Sequence, residues 1–140
     1  MEDLDRRIVE LLAQDGRISY TDLGRALGMS TSAVHQRVRR LEKRGVIKGY
    51  TARVDHAAVG VAMTAFISIT PLDPAAPDDI PDRLRDLHAV EECHSVAGDM
   101  NYILKVRVAT PSELEELIAS VRGVANVSTR TTVVLSTPWE

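Results

Sequence analysis

Residues 30–44, with the sequence STSAVHQRVRRLEKR, are the stretch that decides the fold of the first part of the chain. The apolar residues recur at the spacing of one helix face, and they are Val34, Val38 and Leu41. The basic residues outnumber the single anion Glu42, and they are Arg37, Arg39, Arg40, Lys43 and Arg44. Ser30 can cap the start of a helix, and Gly45 can end one in the left-handed conformation. The pattern predicts a helix that is buried on one face and basic on the other.

The exposed face of this predicted helix has the chemistry of a surface that enters a DNA groove. Polar and basic side chains opposite the apolar stripe can donate to base edges or to phosphates. For this helix alone, a solvated charged surface is the alternative. The candidate DNA-binding residues are Ser30, Ser32, His35, Gln36, Arg39, Arg40, Lys43 and Arg44. We expect Ser32, Gln36 and Arg39 to approach base edges. Arg40, Lys43 and Arg44 are expected to meet phosphates.

Two further helices are predicted before this stretch. The first can be capped by Asp3 and ended near Asp15, and the second follows Ser19 and Asp22, which resemble a capping box. The positions expected to face inward are Leu4, Ile8, Leu11, Leu12, Leu23, Ala26 and Leu27. Residues 28–30 then make a glycine-containing turn into the basic helix. Two helices joined in this way predict a helix-turn-helix, which favours the DNA-binding interpretation.

The segment after the basic helix predicts the end of a first domain. Residues 46–54 are expected to be extended, either as a short wing or as the strand that leads out of the domain. Residues 56–60 are small and end in glycine. We therefore predict a winged-type helix-turn-helix domain over residues 1–55, a linker over 56–60 and a second domain over 61–140.

Composition and charge restrict the class of protein. The chain has 140 residues, of which 44% are hydrophobic and 26% charged, as in an ordinary globular protein. Residues 1–55 carry a net charge of +3 and residues 56–140 carry −6, so only the first part is expected to meet nucleic acid. No apolar run is long enough for a membrane span, and Met1 leads into acidic residues rather than a secretory signal. The single cysteine, Cys93, fits a reducing cytosol, so we expect a cytoplasmic protein.

The second half of the chain alternates predicted strands and helices. Alternation of apolar and polar residues predicts strands over 61–70, 90–97, 102–108 and 127–136. One helix is expected to end near His88, and another to begin after Thr110 and stop at Gly123. The order βαββαβ predicts an α+β, ferredoxin-like domain with two helices on one face of an antiparallel sheet. The other face, which carries Phe66 and Val134, is expected to meet another subunit.

Two blocks of this sequence resemble the Lrp/AsnC family of bacterial and archaeal transcription regulators, also called feast/famine regulators. The blocks are LDRRIVELLAQDGRISYTDLGRALGMSTSAVHQRVRRLEKRGVIKGYTARVD, residues 4–55, and HSVAGDMNYILKV, residues 94–106. The resemblance covers the whole chain and implies a partner in double-stranded DNA and a second domain that is RAM/ACT-like. It further implies homodimers that pair sheet face to sheet face, homo-octamers, and an amino acid as small-molecule effector. The expected function is a sequence-specific transcription regulator that responds to this effector, and not an enzyme.

The resemblance places the effector at the turn after the second strand of that domain. The candidate effector-binding residues are Ala97, Gly98, Asp99, Met100, Asn101, Tyr102, Thr131, Thr132 and Val133. The turn also has suitable chemistry of its own, because Gly98 permits close backbone approach and successive N–H groups can hold a carboxylate. Asp99 and Asn101 could hold an ammonium group, although the family frequently has an aspartate where Asn101 stands. An ordinary hairpin turn is the alternative interpretation.

Other functions fit parts of the sequence less well. Some haem-pathway decarboxylases resemble the same two-part architecture, but the basic helix and the presence of only four histidines argue against them. A chromatin-like protein that wraps DNA with little sequence preference is a further alternative. Residues 91–94 offer too few ligands on one strand face for zinc, and adjacent Cys93 and His94 would face apart. We expect no metal and no cofactor, and we expect residues 73–82 to be a solvated loop and helix start.

Overall fold

The computed structural model describes residues 1–140 and separates them into two compact units, Met1–Arg53 and Val54–Glu140. The first unit consists of three helices, which are α1 (Asp3–Gln14), α2 (Tyr20–Leu27) and α3 (Thr31–Lys43). The predicted wing or strand over residues 46–54 was wrong, because no strand occurs between α3 and residue 63. The N–H groups of Val46 and Ile47 instead donate to the carbonyl of Leu41, at 3.0 and 3.2 Å, and so close the end of α3.

Local capping determines most helix ends of the first unit. The hydroxyls of Ser19 and Ser30 each accept a hydrogen bond from the N–H three residues on, at 3.0 and 3.2 Å, which confirms both predicted caps. Gly28 ends α2 with φ of 67°, and Gly45 follows α3 with φ of 73°, both left-handed. The predicted cap at Asp3 was wrong, because this residue is already helical and the residue before it makes no side-chain cap.

The core of the first unit is formed by one face of each helix. Its buried members are Ile8, Leu12, Leu23, Val34, Val38 and Leu41. Ala26 was expected to face inward but is exposed, and Gly24 is buried in its place. The reason is a close approach, since a Cβ on Gly24 would lie 2.4 Å from the carbonyl oxygen of Met29. Only glycine lets α2 pack so tightly against the turn that leads into α3.

The second unit has the predicted βαββαβ order. Its elements are β1 (Met63–Pro71), α4 (Ile80–Leu84), β2 (Val90–Ser95), β3 (Tyr102–Val108), α5 (Pro111–Ala125) and β4 (Val127–Val133). The strands pair antiparallel in the order β2-β3-β1-β4, which confirms the ferredoxin-like α+β domain. Two predicted helix ends were wrong. Helix α4 stops at Leu84 rather than near His88, and α5 continues through Gly123 because Asn126, with φ of 53°, adopts the left-handed cap instead.

The two helices of this unit cover one face of the sheet and leave the other open. The core on the covered face is centred on Ala65, Ile67, Ile69, Leu104, Val106, Leu114, Leu117 and Val121. Phe66 lies on the open face and is 38% exposed. Val134 lies just beyond β4, where its N–H donates to the carbonyl of Thr64 at 2.9 Å. Neither unit contains a helix with the length and apolarity that a bilayer span requires.

Candidate DNA-binding helix and effector cleft

Helix α3 presents its predicted DNA-facing residues on one exposed surface. All eight are exposed, and they are Ser30, Ser32, His35, Gln36, Arg39, Arg40, Lys43 and Arg44. The stripe of Val34, Val38 and Leu41 on the opposite side is at most 1% exposed. This stripe fixes the rotation of α3 about its axis, so the polar face can only point outward. The structure thus brings the predicted residues together as a basic helical surface, hereafter the α3 surface.

Arg37 differs from the other cations of α3 because two carboxylates of the first unit hold it. Its Nη1 lies 2.9 Å from Glu2 Oε2 and 2.9 Å from Asp5 Oδ1. These hydrogen bonds, to Glu2 first and Asp5 second, raise the pKa of Arg37 above its usual value. Asp5 is the buried charged residue of the unit, at 4% exposure. The pair ties α3 to the start of α1, so Arg37 holds the helix and leaves the α3 surface to other cations.

Sequence reasoning missed Asp5, although a signal was present. Asp5 precedes Ile8 by three residues and Leu12 by seven, which places it on the inward face of α1. A carboxylate at a core position needs a partner of opposite charge, and the partly buried Arg37 is that partner. An aromatic contact was also missed. The rings of Tyr20 and His35 lie 5.3 Å apart between centroids at a tilt of 41°, which restricts the His35 side chain at the edge of the α3 surface.

The turn between β2 and β3 borders a cleft of about 220 Å³. The residues that line it are Asp78, Ser95, Val96, Ala97, Gly98, Met100, Asn101 and Tyr102. The turn is closed by hydrogen bonds from Val96 N–H to Asn101 and from Asn101 N–H to Ile69, both at 3.0 Å. Asp99 was a candidate for the same site but does not line the cleft. Five of the six turn residues singled out from the sequence therefore share one concave surface.

Gly98 is required in this turn for its backbone conformation. Its φ of 148° lies in the region that side chains rarely allow. A Cβ at this position would meet no atom of the chain within 4 Å, so the space above Gly98 is open. The close approach expected from the sequence is therefore not made by the chain itself.

Asp78, Ser95 and Val96 line the cleft but were not predicted from the sequence, and Asp78 is the charged residue among them. The hydroxyl of Tyr102 donates a hydrogen bond to Asp78 Oδ1. This bond, together with burial, raises the pKa of Tyr102 to about 12, so the hydroxyl stays protonated and remains a donor. The two residues are 24 positions apart, and Asp78 lies within the stretch predicted to be a solvated loop. Only the packing of that loop against β3 brings them together.

The candidates on the last strand do not join the cleft within one chain. Tyr102 pairs with Ile69, and Ile69 pairs on its other side with Thr129. Thr131, Thr132 and Val133 lie two to four residues farther along β4. Two strand spacings and this offset separate them from Tyr102 by roughly 12–17 Å. The fold of one chain therefore does not bring Thr131–Val133 and the turn together.

Residues 91–94 were the remaining candidates for metal binding or for a nucleophile. His94 Nε2 lies 3.0 Å from Glu92 Oε2, so the two share a strand face as the sequence predicts. Cys93 points to the other face, and burial raises the pKa of its thiol, which is the opposite of what a nucleophile needs. No three His, Cys, Asp or Glu side chains of the chain are grouped to hold a metal ion.

Comparison with known proteins agrees with this two-part arrangement. The family model of the AsnC-type helix-turn-helix domain matches residues 1–42, and that of the Lrp/AsnC ligand binding domain matches residues 64–140. The HTH-type transcriptional regulator LrpA of Mycobacterium tuberculosis is 51% identical over 137 residues, which cover 98% of this chain and 91% of that protein. The leucine-responsive regulatory protein of Escherichia coli strain K12 is 37% identical over 121 residues, covering 84% and 73%.

A solved structure extends the similarity to three dimensions. The feast or famine regulatory protein from M. tuberculosis, complexed with L-methionine, has a TM-score of 0.97 and 50% identity. The match covers 99% of this chain and 95% of that one. Because both domain models match in order and the M. tuberculosis regulator aligns over nearly the whole chain, this chain belongs to the Lrp/AsnC family of transcriptional regulators.

Proposed function

We propose that this protein is a sequence-specific DNA-binding transcription regulator of the cytoplasm whose assembly and DNA binding respond to an amino acid. The observation that carries the proposal is the α3 surface. Its exposed polar and basic side chains project from a helix whose other face is completely buried. Such a helix fits the major groove, where side chains can read base edges.

Within the α3 surface, base-reading and phosphate-binding residues should be separable. Arg39 lies opposite the buried stripe and can reach a base edge, whereas Lys43 lies near the end of α3 and is assigned to a phosphate. A bidentate base contact is worth about 1–3 kcal/mol of discrimination, while a phosphate contact changes affinity for every sequence. Arg39→Ala should therefore lower specific binding selectively. Lys43→Ala should lower specific and non-specific binding together and reduce the salt dependence.

The experiment is a footprint across the gene's own promoter, followed by titrations of the protected fragment and a scrambled duplex at several salt concentrations. Arg85→Ala is the matched control, because Arg85 is an exposed cation of the second unit, with a side chain 79% exposed. Equal losses for Arg39→Ala on both duplexes would contradict the base-contact assignment. A wild-type protein that binds both duplexes equally would instead favour DNA wrapping without sequence preference.

The effector is proposed to bind in the cleft at residues 95–102. The relative from M. tuberculosis forms a complex with L-methionine, and the cleft in this chain has open space beside Gly98, where a ligand can approach the backbone closely. Gly98→Val should abolish binding, because valine strongly resists a φ of 148°. Calorimetry of wild type and variant against the standard amino acids tests this proposal. Unchanged binding by Gly98→Val would place the effector elsewhere.

Assembly is proposed to proceed through the open face of the sheet, first to a homodimer and then to a homo-octamer of four dimers. Phe66 is a large apolar side chain on that face and is 38% exposed in the single chain. The distance between the turn and Thr131–Val133 also supports a site that is completed by a second chain. Sedimentation with and without the effector measures both steps. A monomer at micromolar concentration would contradict the proposal.

A further inference from the structure

The cleft at residues 95–102 has an unbalanced charge. Asp78 is its acidic side chain, and no lysine or arginine is among the residues that line it. Asp78 comes from the loop before α4, whereas the other lining residues come from the end of β2, the following turn and the start of β3. A ligand in this cleft therefore gains most from carrying a positive charge toward the Asp78 side.

Asp78 is held in a defined position by a residue of the core. Tyr102 is 7% exposed, and its hydroxyl donates to one oxygen of the Asp78 carboxylate. An ionised carboxylate offers about four acceptor positions, so this single bond leaves capacity for donors from a ligand. Because the phenol is packed in the core, the carboxylate is oriented before any ligand arrives.

We propose that Asp78 binds the ammonium group of the effector and thereby makes the cleft selective for amino acids over simple carboxylic acids. The inference rests on the proposed amino-acid effector and adds the residue that recognises its amine. The backbone N–H groups around Gly98 then hold the carboxylate of the same ligand, so the two ends of the amino acid meet different walls of the cleft. The negative charge that pairs with the ammonium group then comes from Asp78, and the turn residues Asp99 and Asn101 are not needed to supply it.

The test uses L-methionine and two analogues that each lack one of its charged groups. 4-(Methylthio)butanoate lacks the amine, and L-methioninol lacks the carboxylate. The protein is the full chain as wild type, Asp78→Asn and Asp99→Asn. Asn at position 78 keeps an oxygen that can accept from Tyr102, so the loop should stay in place, and thermal unfolding verifies this for each variant. Asp99→Asn is the matched control, because it removes the same charge from the turn beside the cleft, at a residue outside the cleft lining.

Asp78→Asn should weaken L-methionine and L-methioninol by about tenfold to a hundredfold, the range for a lost hydrogen bond between charged groups. Binding of 4-(methylthio)butanoate should not weaken, since that ligand has no amine to lose. Asp99→Asn should bind all three ligands as wild type does. Wild type itself should prefer L-methionine to the deaminated acid, which tests the selectivity without any substitution.

Three results would overturn the inference. Asp78→Asn could bind L-methionine as tightly as wild type, the loss could be equal for the deaminated acid, or Asp99→Asn could show the loss instead. In each case wild type still binds an amino acid, so the proposed function survives. If wild type binds neither L-methionine nor any other standard amino acid, the proposed effector class fails, and the role of Asp78 fails with it.

Discussion

Replacing Gly24 by alanine should destabilise the helix-turn-helix unit, although alanine is the better helix former. Gly24 lies inside α2, and an added Cβ would lie 2.4 Å from the carbonyl oxygen of Met29. Real Cβ atoms essentially never approach another heavy atom closer than 3.0 Å. The opposing atom belongs to the backbone of the turn into α3 and cannot rotate away. Either α2 or the turn must therefore move.

The size of the effect follows from two opposing contributions. Alanine in a helix interior gains about 1 kcal/mol over glycine, whereas forcing a methyl group into packed surroundings costs about 1–3 kcal/mol and occasionally more. Because the clash is with backbone at a buried position, we expect the upper end of that cost and a net loss of about 1–2 kcal/mol. For a unit of this size, each kcal/mol lowers the melting temperature by about 4–8 °C.

Gly123→Ala is the matched control for this prediction. Gly123 is also helical, in α5, but it is exposed and a Cβ there would meet no atom within 4 Å. This variant should gain about 0.5–1 kcal/mol. Thermal and urea unfolding followed by circular dichroism measure both changes, and operator titration measures the displacement of α3. If Gly24→Ala stabilises the protein as much as Gly123→Ala does, the contact with Met29 does not constrain the turn and the reasoning is refuted.

Three further predictions concern the interface, the pH dependence and a helix cap. Phe66→Asp should convert the proposed dimer to a monomer in sedimentation, because it places a charge in the proposed interface, whereas Val124→Asp, at a 44% exposed residue of α5 on the covered side of the sheet, should not. Arg107 Nε lies 2.7 Å from Glu91 Oε1 and lowers the pKa of Glu91, so the pair stabilises the fold above the usual glutamate pKa and this contribution is lost as the pH falls. The stability difference between wild type and Glu91→Gln should therefore shrink from neutral pH to below pH about 4, and a constant difference would contradict the pairing. Ser30→Ala should lower the stability of the first unit by about 1 kcal/mol in urea unfolding, since it removes the hydroxyl that caps α3, and an unchanged midpoint would show the cap to be dispensable.

The sequence by itself determined the type and order of nearly all elements. The stripe on α3, the serine caps before α2 and α3, and the alternation along β1 and β3 are local patterns, and each occurs where it was predicted. Helix and strand periodicity depends on neighbours within a few residues, so it can be read without a fold. Local patterns failed at α4 and α5, whose ends depend on competition between several possible caps. Gly123 could stop a helix, but Asn126 does so in the structure.

Only the tertiary structure decided which distant residues meet. Asp5 and Arg37 are 32 positions apart, and Asp78 and Tyr102 are 24 apart. The partner of a charged or hydroxyl group depends on how elements pack, and a local pattern carries no information about that packing. Strand register likewise decided that Thr131–Val133 lie far from the turn they were predicted to assist. The sequence alone therefore grouped the exposed side chains of the α3 surface, because one helix carries them, but it could not assemble the cleft, because a loop, a turn and a strand start must converge to make it.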